Sequence, residues 1–600
     1  MVELNNPTVS DNTESGALNM VKLTIDNCEV VVPEHTTILD AAKSVGIQIP
    51  TLCYLRDLNE IGGCRVCVVE VEGCDQLVAA CNNYVLDGMV VHTNSPKARE
   101  ARRTNVQLLL SQHDSRCTSC VRSGNCNLQT IANDLGILSV PYEAQLPTGQ
   151  RAAWTTTYPL YRDAQKCIKC MRCIQICDKV QSLNIWDLAG TGGRTTIDVS
   201  HNRVIKDSEC ALCGQCITHC PVGALRERDD TQKAFDALAD PEKITVVQIA
   251  PAVRAAWGEA LGLPRELATV NRMAAALRAL GFDYVFDTNF SADLTIMEES
   301  AELIARLKKG ELDHAPMFTS CCPGWVRFLK SQYPQLQGRL STAKSPQQMF
   351  GSVTKSWFAQ RIGVDPKKIF CVSIMPCVAK KAECELPTMA TAAGPDVDLA
   401  LTTREFVRMV RADKITPETL QEEGLDSPMG VFTGAGVIFG ATGGVMEAAL
   451  RTAAYTLTGE EPDPDAFRAM RPGKGRREAT YTIAGVPLNC AAVSGLGEAR
   501  ALIEDLLAGR AHYHFVEVMA CPGGCVGGGG QPISMEDREL ADQRGQVLYG
   551  IDRVQPLRFS HENPQVKALY EDYLGEPNSE LAEQLLHTDH RGWKMPGEEG

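Results

Sequence analysis

The chain has 600 residues, of which 44% are hydrophobic and 22% charged, a composition typical of a globular protein of about four domains. Its net charge of −15 argues against nucleic acid as the main partner. No apolar run reaches the ~18 residues of a membrane span, and the polar start of the chain (1–20) predicts a flexible tail rather than a secretory signal. The 25 cysteines therefore indicate metal ligands in a cytoplasmic protein rather than disulfides.

Residues 21–98 are predicted to form the first folded domain. Two β-rich runs flank Asp26 and Asn27, which predicts a hairpin, and a short helix is expected over residues 38–45. The spacing Cys-x10-Cys-x2-Cys-x13-Cys then gives four candidate ligands, Cys53, Cys64, Cys67 and Cys81. The plant-type 2Fe–2S pattern has a shorter first gap, so the spacing alone leaves a four-cysteine zinc site open.

Residues 99–140 hold a second set of candidate ligands. A helix predicted over 98–112 ends next to His113, and Cys117, Cys120 and Cys126 follow. A histidine just before a Cys-x2-Cys pair favours metal ligation over a purely structural role. Three cysteines and one histidine suit zinc as well as an iron–sulfur cluster.

Residues 141–228 contain two copies of one motif, Cys-x2-Cys-x2-Cys-x3-Cys. This is the bacterial two-cluster ferredoxin pattern, in which the fourth cysteine of each copy serves the other cluster. One predicted 4Fe–4S ligand set is Cys167, Cys170, Cys173 and Cys220, and the other is Cys177, Cys210, Cys213 and Cys216. Several closely spaced clusters indicate a wire that carries electrons between a buried site and an external partner.

Residues 229–532 alternate between strand and helix patterns. Apolar runs at 244–249, 284–286, 368–374 and 515–519 predict strands. Metal ligands just past such strands are what open α/β sheets offer, so we expect two α/β lobes with a metal site in the cleft. Residues 533–600 are predicted to form a helical C-terminal belt.

Three loops of this region carry cysteines in tight turns. They are Thr319-Ser-Cys-Cys-Pro-Gly-Trp325, Met375-Pro-Cys-Val-Ala-Lys380, and the stretch 517–532 with Cys521, Cys525 and four consecutive glycines. Thiolates are soft ligands for iron, and glycine lets a backbone pass close to a bulky group. Four thiolates on three loops can hold one cluster. A glycine-rich loop with two buried thiols is the simpler alternative for the last stretch.

The helical run 295–306 places Glu299, Glu302 and Arg306 on one face. A solvated acidic face is the ordinary interpretation of such a pattern. Cys321, the neighbour of Cys322, favours another one, because a thiol that binds no metal beside a metal site is a candidate proton donor.

Together the three loops resemble the active-site signatures of the FeFe-hydrogenases, in order and with their surrounding residues. The resemblance implies reversible H2 oxidation at an H-cluster, a 4Fe–4S cubane joined to a two-iron subsite with CO, cyanide and azadithiolate. The matching ligands are Cys322, Cys377, Cys521 and Cys525, with Cys525 as the bridge. Residues 21–140 resemble domains shared with respiratory complex I, which implies one 2Fe–2S cluster and one histidine-ligated 4Fe–4S cluster. Three 4Fe–4S clusters are thus expected besides the H-cluster.

The same resemblance assigns roles around the site. It implies that Lys380 binds a cyanide ligand and that a proton path runs through Cys321, Glu299, Ser341, Glu302 and Arg306. It also places five residues near the two-iron subsite: Met375, Met519, Gln347, Ala250 and Pro251. The expected fold is α/β within a multi-domain α+β chain: a β-grasp ferredoxin-like domain, a His/Cys cluster domain, a two-cluster ferredoxin domain, a two-lobed H-cluster domain and the helical segment.

The electron partner is left open between ferredoxin and flavin- or NAD(P)-binding subunits. No GxGxxG follows a predicted strand, so no dinucleotide site is expected in this chain. Hydrogenase maturation proteins are the other implied partners. The alternatives are a non-catalytic iron–sulfur assembly protein, an H2 sensor of the same fold, and a complex I-type subunit, which leaves the three cysteine loops unexplained.

Overall fold

The computed structural model describes residues 19–143, 154–471, 475–535, 540–596 and 598. Most of the predicted tail (1–20) lies outside these residues. The chain forms two compact units: Met1–Arg116 with Gly124–Leu146, and Cys117–Ser123 with Pro147–Gly600. Within the described ranges, no helix is long and apolar enough to cross a membrane. The division into two units does not separate the predicted domains, whose boundaries stay predictions.

The first unit is built on a five-stranded sheet. In spatial order its strands are Cys28–Pro33, Met20–Ile25, Val90–His92, Val68–Val71 and Val78–Ala79. The first two form the predicted hairpin, and Asp26 and Asn27 in its turn both have positive φ, which Asp and Asn tolerate better than most residues. Helix Ile38–Ser44 shares one apolar core with the sheet. The ferredoxin-like fold predicted for this region is confirmed.

Two further helices belong to this unit, Pro96–Ser111 and Asn127–Asp134. The Ser95 side chain accepts a hydrogen bond from the Ala98 amide and so caps the first of them. His113 lies two residues beyond this helix, and Cys126 is the residue that precedes the second.

The second unit begins with sparse structure around the two cysteine motifs. Strand Leu160–Arg162 pairs with Leu225–Glu227, and Trp186–Ala189 pairs with Thr196–Val199. Each motif contains a short helix in its second half. In the first copy it is Arg172–Gln175, continued by the π-helical turn Ile176–Val180, and in the second copy it is Gln215–Thr218. The residue before each helix, Met171 or Gly214, is left-handed, so the two copies share one backbone path.

Two four-stranded sheets make up the rest of this unit. The first is parallel, with the order Tyr284–Asp287, Ile244–Ile249, Ile369–Met375 and Leu399–Thr402. The second has the order Met317–Phe318, Phe515–Met519, Val486–Ser494 and Arg477–Ile483, and only the last strand is antiparallel. A small hairpin joins Ala390–Thr391 to Gly394–Pro395. The two sheets are the two predicted α/β lobes.

Helix Thr288–Lys308 connects the two lobes. Phe290 and Leu294 pack into the core of the first sheet, whereas Ala292 and Ile296 pack into that of the second. The other α-helices before residue 533 in these lobes are Thr231–Leu238, Val270–Ala279, Pro323–Gln332, Pro346–Val353, Ala359–Arg361, Ala379–Glu383, Thr403–Ala412, Gly434–Ile438, Gly444–Thr458 and Leu496–Leu507.

The C-terminal segment is helical, as predicted. Its helices are Ala541–Val554, Pro564–Leu569 with the π-helical turn Tyr570–Leu574, and Glu580–Leu586. Val566, Leu569 and Leu586 are buried in the core of the first sheet, so the segment packs around the lobes as a belt.

Candidate active site

Three loops of the second unit bring four predicted ligands together. Each loop follows a parallel strand, at the carboxyl end where open α/β sheets bind ligands. Cys322 follows Met317–Phe318, Cys377 follows Ile369–Met375, and Cys521 and Cys525 follow Phe515–Met519.

The four thiols are buried or half-buried and close to one another. Burial raises the pKa of Cys525, and the nearby Cys322, Cys377 and Cys521 add to the rise. Four thiolates packed together repel one another unless a metal centre neutralises them. The Ala520 amide donates to Cys322 Sγ at 3.5 Å, an example of the hydrogen bonds that tune cluster sulfurs. This donor set fits one iron–sulfur cluster.

The glycines of the last loop allow close approach between loops. A Cβ at Gly524, where φ is +91°, would lie 2.7 Å from the Thr442 amide. From Gly527 to Gly530 a Cβ would meet backbone atoms at 2.1 to 2.7 Å in every case. These atoms belong to the loop itself, to the loop of Cys377 and to the ferredoxin motif. The glycine run therefore packs three cysteine-bearing segments against one another.

Lys380 is a buried cation beside the four thiols. Its Nζ donates to Glu383 Oε2 at 2.9 Å and to the Cys321 carbonyl at 3.1 Å. Burial lowers the pKa of Lys380, but Glu383 and the thiols of Cys377 and Cys321 outweigh it and raise the pKa above its ordinary value. Lys380 is thus charged at neutral pH and available to an anion bound at the site.

Glu383 is a site residue that the sequence pattern did not reveal. Its Oε2 also accepts from Ser345 Oγ at 2.9 Å and from Gln347 Nε2 at 3.0 Å. Ser373 Oγ donates to Gln347 Oε1 at 2.7 Å. Both the oxygen and the nitrogen of the Gln347 side-chain amide are therefore held by hydrogen bonds. The available signal was position, because Glu383 follows Lys380 by three residues on one helix face. The thiol of the next residue, Cys384, accepts from Gln347 Nε2 at 3.3 Å.

The predicted apolar residues lie at the same strand ends. Met375 and Met519 are 3% and 2% exposed, so neither is a surface residue. Met375 shares a core with Ala250, which precedes the 3₁₀ turn Pro251–Ala255, and the Ala250 amide donates to Ile374 O at 3.1 Å. The structure brings these residues to the loops of Cys377 and Cys521. Their contact with a subsite stays a prediction.

Cys321, Glu299, Ser341 and Glu302 of the predicted proton path are buried and Arg306 is half-buried, so the alternative of a solvated acidic face is wrong. Ser341 Oγ donates to Glu302 Oε2 at 2.7 Å, and Arg306 Nη2 donates to Glu302 Oε1 at 2.5 Å. Burial raises the pKa of the Cys321 thiol, and the nearby Glu299 adds to the rise. Burial raises the pKa of Glu299 to about 8, and Glu302 adds to the rise, whereas Ser341 opposes it. Neither Glu299 oxygen has a hydrogen bond of ordinary geometry among the described residues.

Glu517 is a second site residue that the sequence pattern missed. It lies in the buried strand Phe515–Met519, and burial raises its pKa to about 7. Its carboxylate accepts from the amides of Gly443 at 2.6 Å and Met446 at 2.7 Å. It therefore holds the segment on which the loop of Cys521 rests. The signal was a lone acid in an otherwise apolar strand.

The first unit brings its four sheet-associated cysteines together in two pairs. A hydrogen bond with Cys53 lowers the pKa of Cys64 to about 6, and one with Cys81 lowers the pKa of Cys67. Three of these thiols are buried and Cys64 is half-buried, so the set can enclose a small cluster.

The two ferredoxin motifs bring their cysteines together across the copies, as the spacing predicts. Cys167, Cys170, Cys173 and Cys220 line one cavity. In the other set, burial and the neighbouring Cys210, Cys173 and Cys177 raise the pKa of Cys216. Cys213 lies in this second set and beside the active site, since its carbonyl is 3.6 Å from Cys521 Sγ. Gln215 Nε2 donates to Gly527 O at 2.8 Å and reinforces this contact.

The predicted histidine-ligated set is divided between the two units. Cys117 and Cys120 belong to the second unit, where Arg122 donates to the Cys220 carbonyl at 2.7 Å. His113 and Cys126 belong to the first unit. Ligation of one cluster by all four stays a prediction.

The comparisons with known proteins agree with this layout. Residues 243–529 match the C-terminal domain of the iron only hydrogenase large subunit, and 538–593 match the iron hydrogenase small subunit. Residues 19–96 match a 2Fe-2S iron-sulfur cluster binding domain, and 166–224 match a 4Fe-4S dicluster domain. Residues 102–141 match the iron-sulfur binding region of NADH-ubiquinone oxidoreductase-G.

Similar proteins extend the match to nearly the whole chain. An NADP-reducing hydrogenase subunit of Solidesulfovibrio fructosivorans is 46% identical over 96% of this chain and 99% of its own length. Iron hydrogenase 1 of Clostridium pasteurianum is 38% identical over 95% of this chain and its full length. A solved FeFe-hydrogenase of Chlamydomonas reinhardtii, 40% identical, superimposes with a TM-score of 0.55 over 62% of this chain and all of its own.

Proposed function

The chain belongs to the FeFe-hydrogenase family, and on that premise we propose that it catalyses the reversible oxidation of H2 to two protons and two electrons. The observation that carries this proposal is a four-thiol site flanked by a buried cation and by a buried series of proton-exchanging groups. A protein that only stores or assembles clusters has no use for a neutral carboxylic acid and a spare thiol beside its metal site.

In this proposal Cys322, Cys377, Cys521 and Cys525 would hold the H-cluster, and Cys525 would be the ligand shared by its two parts. The two-iron subsite, with CO, cyanide and azadithiolate ligands, would supply the chemistry that binds and splits H2. Beside its ion pair with Glu383, the Lys380 ammonium would also pair with an anionic cyanide of the subsite. Met375, Met519, Gln347, Ala250 and Pro251 would enclose the subsite and exclude water.

The proton path would begin at Cys321, which would exchange protons with the nitrogen of the azadithiolate. Glu299 is next, and with a pKa of about 8 it is largely neutral at pH 7 and able both to give and to accept a proton. Ser341 and Glu302 continue the path through their hydrogen bond. Arg306 holds Glu302 in place near the surface.

The electron side consists of four clusters in this proposal. Cys53, Cys64, Cys67 and Cys81 hold a 2Fe–2S cluster, and His113, Cys117, Cys120 and Cys126 hold a 4Fe–4S cluster. The two ferredoxin sets hold two more 4Fe–4S clusters. The contact of Cys213 with Cys521 supports the cluster of Cys177, Cys210, Cys213 and Cys216 as the one nearest the active site.

The electron partner we propose is a set of flavin- and NAD(P)-binding subunits. The support is the similarity over nearly the full length to a subunit of an NADP-reducing hydrogenase. A soluble ferredoxin is the alternative partner. Dedicated maturation proteins would supply the two-iron subsite.

The test is hydrogen evolution from reduced methyl viologen by anaerobic protein supplied with the two-iron cofactor. Cys321→Ser should lower the rate at least about a hundredfold without loss of cluster, because serine is a far weaker acid at that position. Cys490→Ser is the matched control, since Cys490 is a buried thiol of the strand Val486–Ser494 and pairs with Phe515, at the end of Phe515–Met519 opposite to the loop of Cys521.

Three outcomes contradict the proposal in different ways. Normal activity of Cys321→Ser would remove that residue from the proton path. A wild-type protein with infrared bands of bound CO and cyanide but no hydrogen evolution would favour an H2 sensor. A wild-type protein with neither would favour the assembly-protein alternative.

A further inference from the structure

The proton path described above ends at a residue that cannot exchange protons. The Arg306 guanidinium stays protonated at every working pH, so it has no site at which to accept a proton. Its Nη2 is also held by Glu302 Oε1 at 2.5 Å and by the Leu340 carbonyl at 3.0 Å. Another group must therefore pass protons between Glu302 and bulk water.

His587 of the C-terminal belt lies at this end of the path. The Lys344 amide donates to the Leu586 carbonyl and the Thr588 amide donates to the Thr342 carbonyl, both at 2.8 Å. These two bonds pair the residues around His587 with the segment that follows Ser341. The imidazole position is therefore fixed by backbone pairing.

Thr342 contacts both Glu302 and His587. Its amide donates to Glu302 Oε2 at 3.1 Å, and its Oγ1 lies 2.8 Å from His587 Nδ1. On the other side of the ring, Nε2 lies 3.0 Å from Glu298 Oε2. A carboxylate only accepts, so in the neutral ring Nε2 carries the hydrogen and Nδ1 accepts from the threonine hydroxyl.

Thr342 and His587 line an open surface pocket of about 510 Å³. Arg306, Glu583, Asp589, His590 and Arg591 line it as well. A pocket of this size and polarity holds many waters. Water in it reaches the threonine and histidine side chains and also Arg306, which in turn holds Glu302.

We propose that His587 is the proton-exchange group between Glu302 and solvent, with Thr342 as its hydroxyl relay. In H2 oxidation a water between Glu302 and Thr342 takes the proton of the Glu302 carboxylic acid and gives one to Thr342 Oγ1, which gives its own proton to Nδ1. The resulting imidazolium then releases a proton to water of the pocket. H2 evolution runs the same transfers in reverse. This proposal rests on the proposed hydrogenase function.

The surroundings make the imidazolium accessible near neutral pH. Burial lowers the pKa of His587, but the hydrogen bond to Glu298 and the nearby carboxylates of Glu583 and Glu302 outweigh it and raise the pKa above the ordinary value. Glu583 Oε2 lies 3.9 Å from Nδ1. The titratable and charged groups around the ring are Glu298 and Glu302 from helix Thr288–Lys308, Glu583 from its own segment, and Arg306, Asp589, His590 and Arg591, which line the same pocket.

Hydrogen bonds from two other residues fix the orientation of the Glu298 carboxylate. Its other oxygen accepts from the Tyr570 hydroxyl, and Oε2 also accepts from the Asn578 amide at 2.8 Å. The carboxylate thus has a fixed orientation toward Nε2. A fixed carboxylate behind an imidazole sets its tautomer and stabilises its protonated form.

The test compares two variants with two matched controls in the loaded enzyme. His587→Gln removes the base, and Thr342→Val removes only the hydroxyl. His561 is also a buried histidine of the C-terminal segment, with Nδ1 3.2 Å from Thr452 Oγ1, so His561→Gln and Thr452→Val repeat the same changes away from the path. Hydrogen evolution is measured against pH, in H2O and D2O, with and without added imidazole.

We expect His587→Gln and Thr342→Val to slow hydrogen evolution about tenfold or more, with a larger solvent isotope effect and a changed pH profile. Imidazole should restore the rate of His587→Gln, and it should leave unchanged the rates of both controls, which should match wild type. A pH profile and isotope effect like wild type in Thr342→Val, whose imidazole is intact, would overturn the proposal even if His587→Gln lost its clusters. A wild-type enzyme without hydrogen evolution would instead contradict the proposed function.

Discussion

Replacing Glu383 by Gln is expected to destabilise the catalytic lobes by about 3 kcal/mol. The Glu383 and Lys380 side chains are only 4% and 10% exposed, and their charged atoms lie 2.9 Å apart. Removing one partner of a buried pair costs roughly 3–5 kcal/mol, because the other charge stays buried without compensation. Glutamine keeps an acceptor oxygen for Ser345 and Gln347, so the lower end of this range applies.

Scanning calorimetry of anaerobic protein measures this loss. A change of 1 kcal/mol shifts the Tm of a domain of 150–250 residues by about 2–4 °C, so the transition of the lobes should fall by roughly 6–12 °C. Glu242→Gln is the matched control. Glu242 lies 3.3 Å from Lys368 with 80% and 53% of the two side chains exposed, and its replacement should change stability by less than about 1 kcal/mol.

The pH dependence of the Tm shows whether Glu383→Gln acts by removing the charge partner of Lys380 or only by removing a packing contact. In the wild type the raised pKa of Lys380 means that the pairing is fully present below 10.5, so the pair adds no slope near neutral pH. Without Glu383, burial lowers the pKa of Lys380 below its unfolded value. The folded variant then binds fewer protons than the unfolded one, so its stability should rise with pH. A Tm equal to wild type, or one that falls with rising pH, would refute the reasoning.

Two further predictions concern the acid beside Cys321 and the glycine loop. Burial raises the pKa of Glu299 from 4.5 to about 8, so the wild type loses stability as pH rises through this range. The Tm of Glu299→Gln should fall less over the same pH range. Equal slopes of Tm against pH in the two proteins would contradict the burial argument. Gly524→Ala places a methyl group 2.7 Å from the Thr442 amide and should weaken the infrared bands of bound CO and cyanide after cofactor loading, whereas Gly550→Ala, with open space around it, should leave them unchanged.

The candidate metal ligands could be named from the sequence because their signals are local in sequence. A Cys-x2-Cys-x2-Cys-x3-Cys run or a Cys-Pro turn fits in a few residues, and apolar runs such as Ile244–Ile249 mark buried parallel strands without tertiary information. The hairpin turn at Asp26 and Asn27 is local in the same way. The ferredoxin-like fold and the two lobes follow from such signals.

The supporting residues were not predictable because long-range contacts define them. Glu383 becomes a site residue through Ser345 and Gln347, which are more than 30 residues away in sequence. His587 meets Glu298 across 289 residues, and nothing near either one in sequence indicates the other. Four glycines in a row indicate a close approach. They do not reveal that one of the neighbours is the Cys213 carbonyl of the ferredoxin motif.

In the proposed function, the electron route and the proton route would leave the site through different residues. Electrons would reach the four thiols from the ferredoxin motif, whose Cys213 carbonyl lies 3.6 Å from Cys521 Sγ. Protons would leave through Cys321 and then through Glu299 in the helix Thr288–Lys308. The segment that follows Cys322 also contacts this motif, since Arg327 Nε donates to the Cys210 carbonyl at 3.1 Å, so the two routes would diverge at Glu299 rather than at the ligand loops. Substitutions along the proton route should therefore slow turnover while the reduction potentials of the ferredoxin clusters stay unchanged.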